Sequence, residues 1–260
     1  MERTSQFAIS RPRPAAAVRL FCFPHAGGSP VAFFGWPERL GGSVECVSLL
    51  YAGRGHRLRE QPRTCVEDLI EEIAGGLAAF SDKPFAFYGH SFGGIVAFEL
   101  ARKLSDAGRP GPYHLFVGAT RPPHLGLPFS PIHQLDDAEF IAKVQARYGS
   151  MPAAILSDPE VLEMFLPSMR ADFTAYENYR FQPGEPLSIP ITAFGGADDS
   201  AVKVECLEEW SLHTVAGFDM NVLPGGHFFL TVSGKELLDA VQLRMGAPIS
   251  DQNPSFVSPR

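Results

Sequence analysis

Cysteine is scarce in this 260-residue chain, and the four present (Cys22, Cys46, Cys65 and Cys206) lie far apart. There is no Cys-x-x-Cys pair and no histidine at a spacing that would complete a zinc site, which argues against a disulfide-stapled scaffold and a zinc module. Cys22 and Cys46 fall inside apolar runs, where a thiol behaves as a small hydrophobe, and all four are expected to be reduced. Long apolar runs are missing as well. No stretch approaches the roughly 20 residues of a membrane-crossing helix, and the N-terminus lacks the apolar centre of a secretion signal. No membrane partner and a cytoplasmic location are therefore expected. Positive charge is not in excess: the net charge of −7 argues against nucleic acid and anionic membranes as partners. Internal repeats and interdomain linkers are also absent.

What remains is ordinary for a globular protein, with 45% apolar and 20% charged residues, and the length suits one large α/β domain over residues 1–246. Strand-like runs occur at Val18 to Phe23, Val44 to Tyr51, Phe85 to Tyr88, His114 to Gly118, Ile189 to Phe194 and Phe218 to Leu223. Helical patterns fall between them: Ala32 to Leu40, a run from a Thr64/Glu67 capping box to Phe80, Ile95 to Ala101, Val204 to Trp210, and a final one to about Leu243. Strand and helix in alternation predict a mostly parallel central sheet flanked by helices on both faces. Between about 122 and 186 the strands stop and two helical patterns appear, Asp137 to Tyr148 and Asp158 to Tyr179, the second with Asp158 as cap and Pro159 at its first position. A helical lid insertion is expected there. Residues 1–17 read as a loose leader, and 247–260, with three prolines, as a disordered tail.

The chain is organised around Gly89-His90-Ser91-Phe92-Gly93. An apolar strand precedes it and a helix with a basic last turn follows, so Ser91 occupies a sharp strand-to-helix turn at the carboxyl end of the sheet. Gly89 and Gly93 are expected because a Cβ there would strike the helix or a strand. A serine hydroxyl needs a base, and the base an orienting group. Of the eight histidines, His227 is the best base, since it follows a strand and the pair Gly225-Gly226. His90 should point away from Ser91, and His56, His124, His133 and His213 read as solvated. Asp199, three residues after Gly196 and three before Val202, is preferred as the orienting acid; Asp198 is the alternative. Oxyanion donors are expected from the backbone N–H groups of Phe92 and of Ala26, in the small-residue loop His25-Ala26-Gly27-Gly28.

These residues resemble the stand-alone type II thioesterases of polyketide and nonribosomal-peptide pathways, members of the α/β-hydrolase superfamily. The resemblance runs from Leu20 to about Leu237 and rests on Phe23-Pro24-His25-Ala26-Gly27-Gly28, Gly53-Arg54-Gly55 with Arg57, Gly89 to Gly94, Leu166 to Asp172, Ile191 to Gly196 and Gly225 to Leu230. It implies a carrier-protein partner and hydrolysis of stalled or aberrant acyl chains from that partner's phosphopantetheine arm, with no metal or bound cofactor. A monomer is expected. Arg54, Arg57, Arg59 and Arg63 are candidate contacts for an acidic carrier. Two departures stand out. Ala52 replaces the family's usual proline, which should loosen that loop, and Phe92 replaces a common methionine, which should narrow the acyl pocket. A general serine esterase and a catalytically silent binding partner are the alternatives.

Overall fold

The structure, a computed structural model, describes residues 6–80, 82–149 and 157–246; the expected disordered tail lies outside them. Seven strands form one sheet: β1 (Phe7–Ala8), β2 (Val18–Phe23), β3 (Val44–Leu49), β4 (Phe85–His90), β5 (Leu115–Gly118), β6 (Ile191–Gly196) and β7 (Phe218–Leu223). Their order is β1-β3-β2-β4-β5-β6-β7. All neighbours are parallel except β1, which pairs antiparallel with β3, Phe7 opposite Leu49. Parallel strands need crossovers, and helices supply them, so the central strands are buried on both faces.

Alternation sorts the strand residues into two cores. Phe21, Phe23, Phe85, Phe87, Leu115 and Val117 face α2 (Val66–Leu77) and α3 (Phe92–Asp106). Leu20, Cys22, Ala86, Tyr88 and Phe116 face α1 (Trp36–Leu40) and the C-terminal helix. Phe21 stands edge-on to Phe7, Phe80, Phe85 and Phe87 at 5.3–5.9 Å, contacts worth about 0.5–1.5 kcal/mol each beyond burial.

Residues 6–17 are not a loose leader. Phe7 is buried in the first core, Leu50 N–H donates to the Gln6 carbonyl at 2.8 Å, and Arg13 N–H donates to Glu45 Oε1 at 2.8 Å. A single apolar residue with backbone pairing is enough to tie the segment to a sheet edge, a signal too short to read as periodicity. The stretch expected as one helix over 32–40 is a 3-10 turn, Pro30–Phe33, followed by α1. Pro37 has no N–H to offer the Phe33 carbonyl, so the ladder cannot run through. The capping box is also corrected. Cys65 holds the cap position of α2 and no side chain caps it, because burial of Val66 starts the helix one residue too late for Thr64.

Between β5 and β6 the described residues hold no strand but two helices, α4 (Asp137–Tyr148) and α5 (Pro159–Asn178). Asp136 Oδ1 accepts from Glu139 N–H at 2.9 Å, and Asp158 caps α5, with Pro159 at its first position. Ile132, Phe140, Val144, Leu166, Met169 and Phe173 give this insertion a core of its own. Buried Glu177 accepts from the N–H groups of Ile132 and His133 and contacts His133 Nδ1, at 2.6–3.0 Å, which ties the segment before α4 to the end of α5. After β6 the chain winds through 3-10 turns over Val204–His213, then β7, α6 (Phe229–Val232) and α7 (Gly234–Met245).

Two histidines expected in solvent are packed inside contacts. His133 is the Glu177 partner, and His213 is buried among Phe98, Phe181 and Trp210, ring centroids 5.1–5.5 Å away, with Nε2 2.8 Å from His124 Nδ1. His124 also reaches Glu209 Oε2 at 2.9 Å. Burial, with His124 and Arg102 nearby, pushes His213 down to about 4. Burial, with Arg244 nearby, does the same to His114, which is stacked on Phe116 and 2.9 Å from Thr192 Oγ1. The folded chain therefore keeps both rings neutral where the unfolded chain protonates them. Their stabilisation is complete above the ordinary 6.5 and is lost as pH falls towards about 4, at about 1.4 kcal/mol per pH unit for each ring. Melting temperature is expected to fall between pH 6.5 and 4 and to fall less steeply in His114→Gln. A flat profile would show that these rings do not govern acid stability.

Candidate active site

Ser91 joins β4 to α3 with φ 54° and ψ −120°, a conformation that costs a non-glycine residue on the order of 1–3 kcal/mol and needs outside support. The support is specific. Ser91 N–H donates to the Gly118 carbonyl at 2.8 Å, and its own carbonyl accepts from Gly94 N–H at 2.9 Å. Thr120 Oγ1 lies 3.0 Å from the Ser91 carbonyl and 2.9 Å from that of Gly118. A Cβ at Gly89 would lie 2.2 Å from the Gly93 carbonyl oxygen, and one at Gly93 2.1 Å from the carbonyl oxygen of Phe23 at the end of β2. The two glycines let α3 start directly against the strands, and both steric reasons expected for them hold.

His227 follows β7 and Asp199 follows β6, so parallel neighbours deliver both to the same end of the sheet. His227 Nε2 is 2.9 Å from Ser91 Oγ, and His227 Nδ1 is 2.9 Å from Asp199 Oδ2. The acceptor carboxylate assigns the ring proton to Nδ1 and leaves Nε2 to accept from the hydroxyl. Asp199 Oδ1 accepts from Ala201 and Val202 N–H at 2.8 and 3.0 Å, which fixes the carboxylate plane. Asp198 is exposed. Ser91, Asp199 and His227 are all buried. His90, turned away from Ser91 as expected, donates through Nε2–H to the His227 carbonyl at 2.9 Å. Burial, followed by His227 and His25, holds its pKa well below the usual histidine range. The ring of His227 is flanked by Tyr148 from α4, at 4.9 Å, and by Phe228, at 5.2 Å.

Ala26 borders the same cavity as Ser91, and Phe92 is the first residue of α3, where amide N–H groups have no intrahelical acceptor. Ala26 thus sits in the wall of the cavity, and Phe92 directly follows the serine. The Phe92 side chain does not narrow the cavity. It is fully buried behind it, between Tyr51 and Tyr176 at 6.0 and 5.5 Å. Beside Ser91, His227 and the rings of Tyr148 and Tyr176, much of the lining is apolar, with Val144, Phe165, Met169 and Phe173 from the insertion. His25 also borders it, and burial, with His227 and Arg54 nearby, pushes that ring down to about 3, so it stays neutral at ordinary pH.

Arg54 and Arg57 are not surface contacts. Arg54 is buried and bidentate to Asp172 of α5, both N···O distances 2.8 Å, and it also donates to the Gly28 carbonyl at 2.8 Å. Asp172 Oδ2 accepts from Gly27 N–H at 2.7 Å as well. One ion pair therefore joins the Ala26 loop, the arginine loop and the insertion. Arg57 is buried against Glu60 and Glu72 and donates to the Leu50 carbonyl at 2.8 Å. These anchors hold the loop that Ala52 was expected to loosen. Arg59 is exposed, as is Arg63, which pairs with Glu72 at 2.8 Å. Thr120, Tyr51 (whose hydroxyl donates to the Pro24 carbonyl at 3.1 Å), Asp172 and His90 are supporting residues that patterning did not single out. Asp172 lay inside the quoted Leu166-to-Asp172 phrase, and Thr120 just past a strand end beside the serine strand, the one positional signal that could have found it.

Residues 18–243 match the thioesterase domain family. The chain belongs to that family. It is similar to the gramicidin S biosynthesis protein GrsT of Aneurinibacillus migulanus, 36% identical over 92% of this chain and 94% of that one. Among solved structures it is similar to RedJ, a thioesterase of the prodiginine pathway in Streptomyces coelicolor, with a TM-score of 0.83 and 38% identity over 91% of this chain and 89% of that one. It is likewise similar to BorB, the type II thioesterase of the borrelidin cluster, with a TM-score of 0.82 and 31% identity over 94% of this chain and 98% of that one. The α/β-hydrolase fold and hydrolysis of thioesters follow for this chain.

In this thioesterase Arg54→Ala would strand the Asp172 carboxylate in the interior, at a cost of about 3–5 kcal/mol. Arg54→Lys should recover only part of that, because an ammonium cannot span both carboxylate oxygens, and Arg59→Ala should change stability by less than about 0.5 kcal/mol. Urea unfolding of the three variants measures this. Equal stability of Arg54→Ala and Arg59→Ala would remove the clamp from the account.

Proposed function

We propose that Ser91, His227 and Asp199 are the catalytic residues with which this thioesterase hydrolyses stalled or aberrant acyl chains from the phosphopantetheine arm of an acyl or peptidyl carrier protein. The observation that carries this is the continuous chain of 2.9 Å contacts from Ser91 Oγ through His227 to Asp199 at an apolar cavity. His227 Nε2 takes the hydroxyl proton as Ser91 Oγ attacks the thioester carbonyl, and Asp199 steadies the imidazolium. The N–H groups of Ala26 and Phe92 receive the oxyanion. Collapse breaks the C–S bond, His227 returns the proton to the departing thiolate, and the acyl group stays on Ser91. Water then gives a proton to His227 and attacks the ester, and the carboxylic acid leaves as the proton passes back to Ser91.

Every step uses water and protein groups already named, so the reaction as proposed calls for no metal or bound cofactor. The pathways named for GrsT, RedJ and BorB support an editing role beside a carrier-bearing synthase. The helices α4 and α5 serve as the lid. A single copy contributes all three groups, which supports a monomer as the working unit. Four free cysteines and the absence of any membrane-spanning helix among the described residues agree with a cytoplasmic protein. Of the four candidate arginines, Arg59 and Arg63 are exposed and remain available for a carrier contact.

Ser91→Ala is expected to fold normally, to lose labelling by a fluorophosphonate probe and to lose hydrolysis of acyl-carrier thioesters. Asp199→Asn should lower kcat by about four orders of magnitude by favouring the wrong imidazole tautomer, while Asp198→Asn leaves it near wild type. Steady-state assays on acyl-carrier and simple ester substrates check this. A larger loss from Asp198→Asn, or much faster turnover of simple esters than of thioesters, would overturn the assignment.

A further inference from the structure

The cavity that holds Ser91 is small, about 50 Å³, and beyond it lies a second one of about 630 Å³. Drug-sized ligands occupy clefts of about 300–1,000 Å³, so the inner cavity as it stands has no room for a long acyl chain, whereas the outer one does. Among the described residues a single side chain, Tyr176, borders both. The outer chamber includes Ile95 in its wall, one helical turn past Ser91 on α3, with Pro123, Leu127 and Phe129 from the segment after β5. It therefore runs along α3 away from the nucleophile.

We propose that Tyr176 is a gate, and that the chamber behind it receives the distal part of acyl chains too long for the inner cavity. The inference rests on the thioesterase assignment of Ser91 and deepens it. The backbone at Tyr176 is fixed, because its neighbour Glu177 is held by three donors from the segment before α4. Opening therefore falls to rotation of the ring. In the closed position the ring leans on Phe92, 5.5 Å away and itself fully buried, so the residue after the nucleophile sets the gate's resting place. The chamber is not purely hydrocarbon in character. Arg121 and Arg180 border it, donating to the carbonyls of Gly126 and of Glu177 and Tyr179 at 2.8–2.9 Å. An apolar wall with guanidinium groups along it suits a chain that carries oxygen substituents towards its far end.

The test is kcat/KM of the full chain on acyl-pantetheine thioesters from butanoyl to tetradecanoyl. Tyr176→Ala should raise the tetradecanoyl-to-butanoyl ratio by about tenfold or more, and Tyr176→Phe, which keeps the ring, should hold the wild-type ratio. Adding Leu127→Trp to Tyr176→Ala should fill the chamber and return the ratio towards wild type. If it does not, the added room lies in the inner cavity and the connection is wrong. Should Tyr176→Ala fail to fold, Leu127→Trp alone is expected to lower the ratio by about tenfold, and no change would overturn the proposal. Turnover with a length profile indifferent to both positions sinks the gate alone. Absence of any thioester turnover by the wild-type chain sinks the parent assignment.

Discussion

The structure depends on one strained residue. Ser91 holds a backbone conformation that an L-residue avoids, and it does so because α3 begins in contact with the ends of β4 and β2. Gly89 and Gly93 permit that contact. The Gly118 carbonyl and Thr120 Oγ1 then hold the turn from the neighbouring strand. The strain places the hydroxyl outside the sheet rather than within it, where His227 can reach it. The rest of the site is arranged around that fixed point.

Two further constraints keep the loops in register with the serine. The loops carrying Asp199 and His227 press together, since a Cβ on Gly196 would lie 2.3 Å from the Gly226 carbonyl oxygen. Their parallel strands also share a six-residue register. On the other side, the Arg54–Asp172 pair connects the Ala26 loop to the helical insertion. A buried pair of this kind adds little net stability compared with an apolar substitute. Its consequence is geometric: the Ala26 loop cannot shift without moving α5, and α5 carries Tyr176. The Ala26 loop and the wall shared by the two cavities are thus mechanically coupled.

Much of this was legible in the residue order. The strand runs fell within a few residues of their observed ends, and the two insertion helices within one, because periodicity and capping residues are local signals. The frame Gly196–Asp199–Val202 pointed to the aspartate that meets His227, since Val202 N–H and Ala201 N–H fold back onto Asp199. Arg54 and Arg57 were misread because charge in a loop looks the same in sequence whether its partner is water or a carboxylate, 118 residues away for Arg54 and 3 and 15 away for Arg57. His213 was misread for the same reason, its aromatic enclosure being assembled from three separate segments.

The sequence by itself determined the α/β layering, the serine turn, the order Ser-Asp-His and the family to which these belong, because each is written in short patterns of residue type and spacing. Tertiary structure alone decided which arginines are internal, that Phe92 braces Tyr176 instead of lining the pocket, and that a small catalytic cavity adjoins a large one across a single ring. Those outcomes depend on where distant segments meet, and burial, ion pairing and cavity shape exist only once they have met.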